Sequence, residues 1–363
     1  MTSYLLAGGG TAGHINPLLA IADELRRRDP EAAIVVVGTA EGLEAKLVPE
    51  RGYELVTIPR LPFPRRPNLA AVRFVSRWRG TVHSIEKLIA DRGIDCVIGV
   101  GGFASAPAYV AARRTGTPLV IHEANARPGL ANRLGARNTL FVGVAFAETP
   151  LPHATVVGMP LRREIEGLDV AAQREDARVS FGLEPARPTL VITSGSQGAR
   201  SINETIAAAV PLVIGAGYQI LHIVGVNAPA TLPVARGYVS LPYCDRMEAA
   251  LAAATLVVSR AGSATVSELS ALGIPAVYVP YPVGNGEQRF NAAGVVRAGG
   301  GILVSDREFT PEWVRDNLIP LLRNEAKIVQ MGAAAKATGV RDGTARMVNL
   351  VELALSHRAS SAL

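Results

Sequence analysis

The 363-residue chain has little cysteine, little aromatic character and no acidic pair of the kind that holds a metal. Two thiols are too few for a disulfide framework or a metal cage, so Cys96, inside a strand-like run, and Cys244, in a loop, read as reduced thiols. No Asp-x-Asp pair and no metal-ligand spacing of histidines occurs, so no essential metal and no other cofactor is expected. No apolar run of about 18 residues escapes interruption by a charge or a glycine, and the first residues lack the basic-then-apolar pattern of a secretion signal. The expectation is a protein of the cytoplasm. Acidic side chains are also missing between Glu54 and Glu86, a stretch that carries Arg60, Arg65, Arg66, Arg73, Arg77 and Arg79.

What is present is 48% hydrophobic residues, 36 glycines and 24 prolines, enough for two globular domains each with its own core. The net charge of +6 points to anionic partners: phosphates, nucleic acid or acidic lipid. In the acid-free stretch, Arg73, Phe74, Arg77, Trp78 and Arg79 interleave charge with aromatic rings at helical spacing. That is the pattern of a helix lying on an anionic bilayer, and equally of a solvated helix whose rings pack inward.

A strand-like run from Tyr4 to Ala7 leads into Gly8-Gly9-Gly10-Thr11-Ala12-Gly13-His14 and then a helical period. Glycines let the backbone approach an oxyanion closely, and the first amides of the helix point at it. The same letters spell the dinucleotide fingerprint, but that reading needs an acid at the end of the next strand. Ala33 to Val37 ends in Gly38-Thr39, with Glu41 beyond the strand end, so a dinucleotide is discounted. A histidine directly after the last glycine suits acid–base work beside a phosphate.

Apolar runs alternate with helical periods throughout, which predicts an α/β architecture of parallel sheets. The first half holds Tyr4 to Ala7, Ala33 to Val37, Leu55 to Ile58, Asp95 to Val100, Leu119 to His122 and Leu140 to Val144. After Val157-Gly158-Met159-Pro160 the pattern restarts: Thr189 to Thr193, Gln219 to Val224, Tyr238 to Leu241, Leu256 to Ser259, Ala276 to Val279 and Gly301 to Val304. Two doubly wound units imply a cleft where strand ends face each other. Polar and glycine-rich segments follow those ends: Gly101 to Ser105, His122-Glu123-Ala124-Asn125, Ser194 to Arg200, Ser259 to Thr265 and Gly284 to Asn291. The loop at Ser194 offers amides, Ser196 and Gln197 to a diphosphate. The turn at Gly262 opens a helix whose Glu268 suits ribose hydroxyls, and the last segment suits a hexose. Glu123 could orient an acceptor or a base. A helix from Ala345 to Leu355 is left unassigned to either half.

Five of these segments, Gly9 to His14 with Pro17, His122 to Asn125, Gly195 to Arg200, Ser263 to Glu268 and Glu287 to Ala292, occur in an order that resembles the MurG family, the peptidoglycan N-acetylglucosaminyltransferases. The resemblance implies a GT-B fold with an acceptor-binding, membrane-facing domain over 1–159 and a UDP-GlcNAc-binding domain over 160–341. It also implies that a last helix, about 342–358, returns to the first domain. It implies inverting transfer of GlcNAc from UDP-GlcNAc to the MurNAc 4-hydroxyl of undecaprenyl-pyrophosphoryl-MurNAc-pentapeptide, on the cytoplasmic side of the membrane, with no nucleic acid as a partner. By motif, His14 and Glu123 are then the catalytic candidates. Gly9, Gly10, Thr11, Gly13, Phe103 and Asn125 would bind the acceptor. Arg162, Ser196, Gln197, Gly262, Ser263 and Thr265 would hold the UDP phosphates, Glu268 the ribose, Cys244 the uracil side, and Glu287 and Gln288 the sugar. Glu287 stands where the family usually has glutamine, Phe103 where it has tyrosine, and Ala124 where glutamine is common. Rival readings are a transferase for another lipid or natural product, a UDP-GlcNAc 2-epimerase, and a non-catalytic UDP-sugar-binding protein.

Overall fold

The computed structural model describes residues 1–10, 12–61, 69–195, 197–226, 231–283 and 286–361. The chain forms two compact units, Met1–Arg162 with Asp342–Leu363, and Arg163–Arg341.

The first unit is built on seven parallel strands, β1 (Ser3–Ala7), β2 (Ala33–Gly38), β3 (Glu54–Thr57), β4 (Cys96–Gly99), β5 (Leu119–Glu123), β6 (Phe141–Val144) and β7 (Ala154–Val156), in the order β3-β2-β1-β4-β5-β6-β7. The central strands are almost continuous apolar runs because both sheet faces are covered, as a parallel sheet requires. Alternation along β1 sends Leu6 to one face and Leu5 to the other. Leu6 joins Ile15 and Leu18 of the helix Ala12–Arg28, and Met347, Val348 and Val351 of the helix Gly343–Ser361. Leu5 joins Val82, Ile85 and Ile89 of the helix Leu69–Asp91, and Ala108 and Ala112 of the helix Ser105–Thr115. The last helix therefore belongs to the first unit, where Arg28 also pairs with Glu352 at 2.9 Å. β7 has no counterpart in the sequence reading: it is three residues long, lies at the sheet edge and is wholly exposed, so it carries no apolar run.

The second unit repeats the arrangement with β8 (Thr189–Thr193), β9 (Gln219–Ile223), β10 (Tyr238–Leu241), β11 (Leu256–Ser259), β12 (Ala276–Tyr278) and β13 (Gly301–Leu303), in the order β10-β9-β8-β11-β12-β13. In both units the strand order reverses beside the first strand, between β1 and β4 and between β8 and β11. Open parallel sheets bind ligands outside the strand carboxyl ends at such a point. Among the described residues no helix is long and apolar enough to cross a membrane.

Candidate active site

The loops after β1 and β4 meet at the first of these points. They line a pocket of about 190 Å³ with Gly9, Gly10, His14, Thr39, Glu41, Gly42, Arg60, Gly102, Phe103 and Ala104. Gly102, at φ +89°, lies so close to Gly9 that a Cβ there would strike the Gly9 main chain, so the two loops can touch only with glycine at this position. Ser105 ties them further, its hydroxyl lying 2.8 Å from the carbonyls of both Ala7 and Gly101. His14 is half-buried, its Nε2 close to Gly101. Burial pushes its pKa below the usual histidine value, and the charge of Glu44 opposes this.

Glu44 is a residue the sequence reading missed. It is fully buried at the start of the helix Glu44–Glu50. One carboxylate oxygen accepts from the Gly10 amide at 2.9 Å, and the other from the Thr39 amide at 2.8 Å and the Thr39 hydroxyl at 2.7 Å. A Cβ at Gly9, Gly38 or Gly42 would run into this side chain, so three glycines make room for it by having none. Burial acts to raise its pKa, but the Gly10 and Thr39 donors outweigh it and hold the value below normal. The carboxylate is thus an anion beneath the pocket floor, and the Gly10 amide expected to face a phosphate is engaged by it.

Behind the loop after β5 lies a second buried network. Glu123 differs from a substrate-facing acid: one oxygen accepts from the Asn125 amide at 2.9 Å, and the other from the Gly129 amide at 3.0 Å and Asn132 Nδ2 at 2.9 Å. Burial raises its pKa against the pull of these donors. These bonds fix the turn that carries Asn125. Asn132, also missed from the sequence, accepts from the Tyr109 hydroxyl at 2.6 Å, and its Nδ2 lies close to Gly101, as His14 does. His122 is fully buried and donates from Nε2 to the Gly158 carbonyl at 2.9 Å. Its Nδ1 is therefore a bare acceptor, with no hydrogen-bond partner among the described residues. Burial pushes its pKa down to about 4, so the ring is neutral at physiological pH.

In the second unit the loop after β8 is fastened by neutral groups. Gly198, at φ +75°, packs on the main chain of Val224 and Gly225, where a Cβ would strike the Val224 carbonyl. That carbonyl accepts from Asn203 Nδ2 at 2.8 Å, Asn203 accepts from His222 at 3.0 Å, and His222 meets the Tyr238 hydroxyl at 3.0 Å. Beyond β11, the helix Ser263–Leu272 starts on Gly262 in an extended conformation, with no side chain capping its first amides. Amides left uncapped at a helix start can receive an anion. Thr265 and Glu268 lie half-buried along it. Arg260 holds this loop to the carbonyls of Val279 and Pro280, both at 3.1 Å, and to Asp306. Asn291 reaches the Ala261 carbonyl at 3.3 Å, and Gln288 accepts from the Tyr281 amide at 2.9 Å through its Oε1. Gln197 is exposed, Glu287 half-buried, and Cys244 buried with its thiol pKa raised by burial. Arg162 closes the first unit.

Thr11 and Ser196, expected to bind acceptor and donor, lie outside the described residues, as do Arg65 and Arg66; of Arg73 only the helical backbone is described. In the proposed bilayer patch, Arg77 and Arg79 are exposed. Trp78, for which the sequence left both an outward and an inward packing open, packs against the core cluster of Leu5 and Val82, with Phe74 stacked on it at 5.7 Å between ring centroids.

Residues 4–142 match the N-terminal domain model of glycosyltransferase family 28, and residues 189–347 match its C-terminal domain model. A protein of Leifsonia xyli subsp. xyli named UDP-N-acetylglucosamine--N-acetylmuramyl-(pentapeptide) pyrophosphoryl-undecaprenol N-acetylglucosamine transferase is 61% identical, over 98% of this chain and 99% of its own. A protein of the same name from Streptomyces avermitilis is 49% identical over 98% and 99%. Among solved structures, MurG of Acinetobacter baumannii superposes with a TM-score of 0.79 at 25% identity, over 97% of this chain and 99% of that one. Motifs, strand order and full-length likeness agree, and the chain belongs to glycosyltransferase family 28, in its MurG group.

Proposed function

We propose that this chain transfers N-acetylglucosamine from UDP-GlcNAc to the MurNAc 4-hydroxyl of undecaprenyl-pyrophosphoryl-MurNAc-pentapeptide, with inversion, yielding lipid II for peptidoglycan. The observation that carries the chemistry is His14, a histidine whose pKa burial lowers, on the rim of a glycine-lined pocket at the switch point of the first unit. His14 takes the hydroxyl proton as the acceptor oxygen attacks the anomeric carbon. The bond to the β-phosphate oxygen breaks, and UDP leaves with the electron pair. Glu44 lies where its charge stabilises the imidazolium that forms.

In this reading the first unit binds the acceptor through Gly9, Gly10, Thr11, Gly13, Phe103 and Asn125. The second binds UDP-GlcNAc: Ser196, Gln197, Gly262, Ser263 and Thr265 on the phosphates, Glu268 on the ribose, Cys244 beside the uracil, Glu287 and Gln288 on the sugar; Arg162, the last residue of the first unit, is assigned to the same phosphates. Helix amides and Arg162 stabilise the leaving diphosphate without an essential divalent ion. The protein works peripherally on the cytoplasmic face of an anionic membrane, through the basic side of the helix Leu69–Asp91, and has no nucleic acid partner.

UDP release from UDP-GlcNAc, measured with and without a lipid I analogue and with EDTA, tests this. Acceptor-dependent release that survives EDTA and drops about 10²–10⁴-fold in kcat for His14→Ala is expected. Release needing no acceptor, or a His14→Ala enzyme near wild-type turnover at saturation, would overturn the assignment. Loss in EDTA restored by magnesium would overturn the metal-free part alone.

A further inference from the structure

Arg60 was grouped by sequence with the arginines of the basic stretch, but the structure puts it in the pocket. Its guanidinium carbon sits 4.9 Å from the centroid of the Phe103 ring, and both residues line the cavity with Gly9, Gly10 and His14. Among the described residues Arg60 has no hydrogen-bond or ion-pair partner, and none of them occupies its five N–H donors; its guanidinium stacks on Phe103. A planar cation resting on an aromatic face keeps its edge free for an oxyanion.

Two amides of the adjoining loop are already engaged. The Gly10 amide is engaged by Glu44, and the Gly8 amide by the Val37 carbonyl at 3.3 Å. Burial lowers the pKa of His14, which disfavours its charged form, and Glu41 adds a carboxylate to the lining. With Glu44 beneath the floor as well, a bound dianion would face two negative charges and one permanent positive charge, Arg60. Arg60 is therefore the permanent countercharge in the pocket lining.

We propose that Arg60, carried on Phe103, is the residue that pairs with the diphosphate of the acceptor. This rests on the reading of the first unit as the acceptor unit. It also accounts for phenylalanine at position 103: the ring acts as a platform for the guanidinium, a role that needs no phenolic hydroxyl. Arg60 is exposed and outside both strands and helices, so its replacement leaves the fold intact.

The probe is inorganic pyrophosphate, titrated calorimetrically with saturating UDP present so that the nucleotide site is filled. Wild-type protein binds it, and Arg60→Ala weakens binding about tenfold or more, with Arg60→Lys between the two because it keeps the charge and loses the fork. In turnover with a soluble lipid I analogue in neutral detergent, Arg60→Ala raises the acceptor KM about tenfold or more and leaves the UDP-GlcNAc KM unchanged. Phe103→Leu moves the acceptor KM in the same direction by less. Absent pyrophosphate binding, or binding equal in wild type and Arg60→Ala, overturns the proposal. So does an unchanged acceptor KM accompanied by lost flotation with anionic vesicles, which would assign the arginine to a lipid headgroup. If neither protein releases UDP with the acceptor while pyrophosphate binding still depends on Arg60, the anion site stands and the transferase reading fails.

Discussion

The loops after β1 and β8 occupy the same place in the same strand order, yet they are fastened by opposite chemistry. The loop after β8 is held main chain to main chain, Gly198 on Val224 and Gly225, and is locked by the neutral series Asn203, His222 and Tyr238. The loop after β1 is held by an ionised carboxylate, Glu44, through the Gly10 amide. A fixed negative charge beside a glycine loop weakens it as an anion seat and strengthens a neighbouring base. The charge of Glu44 thus favours proton acceptance at His14 and leaves an anion beside this loop in need of a countercharge.

The largest expected effect comes from adding one methyl group to each loop. Gly198→Ala meets both a positive φ and the Val224 carbonyl, and costs about 3 kcal/mol or more of stability in the second unit, with UDP binding lost in step. Gly10→Ala, at φ +95° but with nothing within 4 Å of the new Cβ, costs only the backbone strain of about 1–2 kcal/mol. Urea unfolding of both variants measures the difference. Equal losses would show that the two loops are held alike and dissolve the contrast.

A subtler test removes the charge that distinguishes them. Burial lowers the pKa of His14 and Glu44 raises it, so Glu44→Gln leaves burial unopposed and lowers it further. The acid limb of the pH profile of kcat/KM for the acceptor therefore moves to lower pH. The stability of the variant moves the other way with acid. Glu44 has a folded pKa below its unfolded value, so its contribution is complete above the unfolded value and is lost as pH falls through the folded one. Wild type accordingly loses stability on acidification relative to Glu44→Gln. An acid limb that stays in place in a folded variant would mean that His14 is not the base or does not sense Glu44. Thr39→Val keeps the charge and removes one donor, so it leaves the limb near its wild-type position.

The two-unit architecture is legible in the sequence because strands buried on both faces must be continuous apolar runs, and each such run here ends at a glycine or polar turn. His14 and the glycine loops are legible because they are local in the chain. Glu44 is not, because its partner Gly10 is 34 residues away and only the pairing of β1 with β2 brings them together. The Tyr109–Asn132 bond spans 23 residues in the same way. Glu123 shows the complementary limit: its residue type invites a catalytic role, whereas its neighbours, supplied by the turn that follows it, engage both oxygens. Arg60 was read from the company it keeps in sequence, and its spatial company is a pocket.

The smallest expected effect on stability concerns a surface that only the first unit carries. Arg77 and Arg79 are exposed on the helix Leu69–Asp91, so Arg77→Glu with Arg79→Glu changes unfolding free energy by about 0.5 kcal/mol or less. Reversing two charges nevertheless removes attraction to an anionic surface worth about 1 kcal/mol per residue and adds repulsion, so flotation with anionic vesicles falls steeply. Trp78→Ala does the reverse in stability. It strips a ring that packs on the core and stacks with Phe74, and so destabilises the first unit measurably. If the double charge reversal leaves flotation unchanged, the arginines are an ordinary solvated face and the aromatic rings beneath them serve the core alone. If flotation falls while the melting transition stays in place, the helix separates its duties by face: rings inward for the fold, charge outward for the membrane.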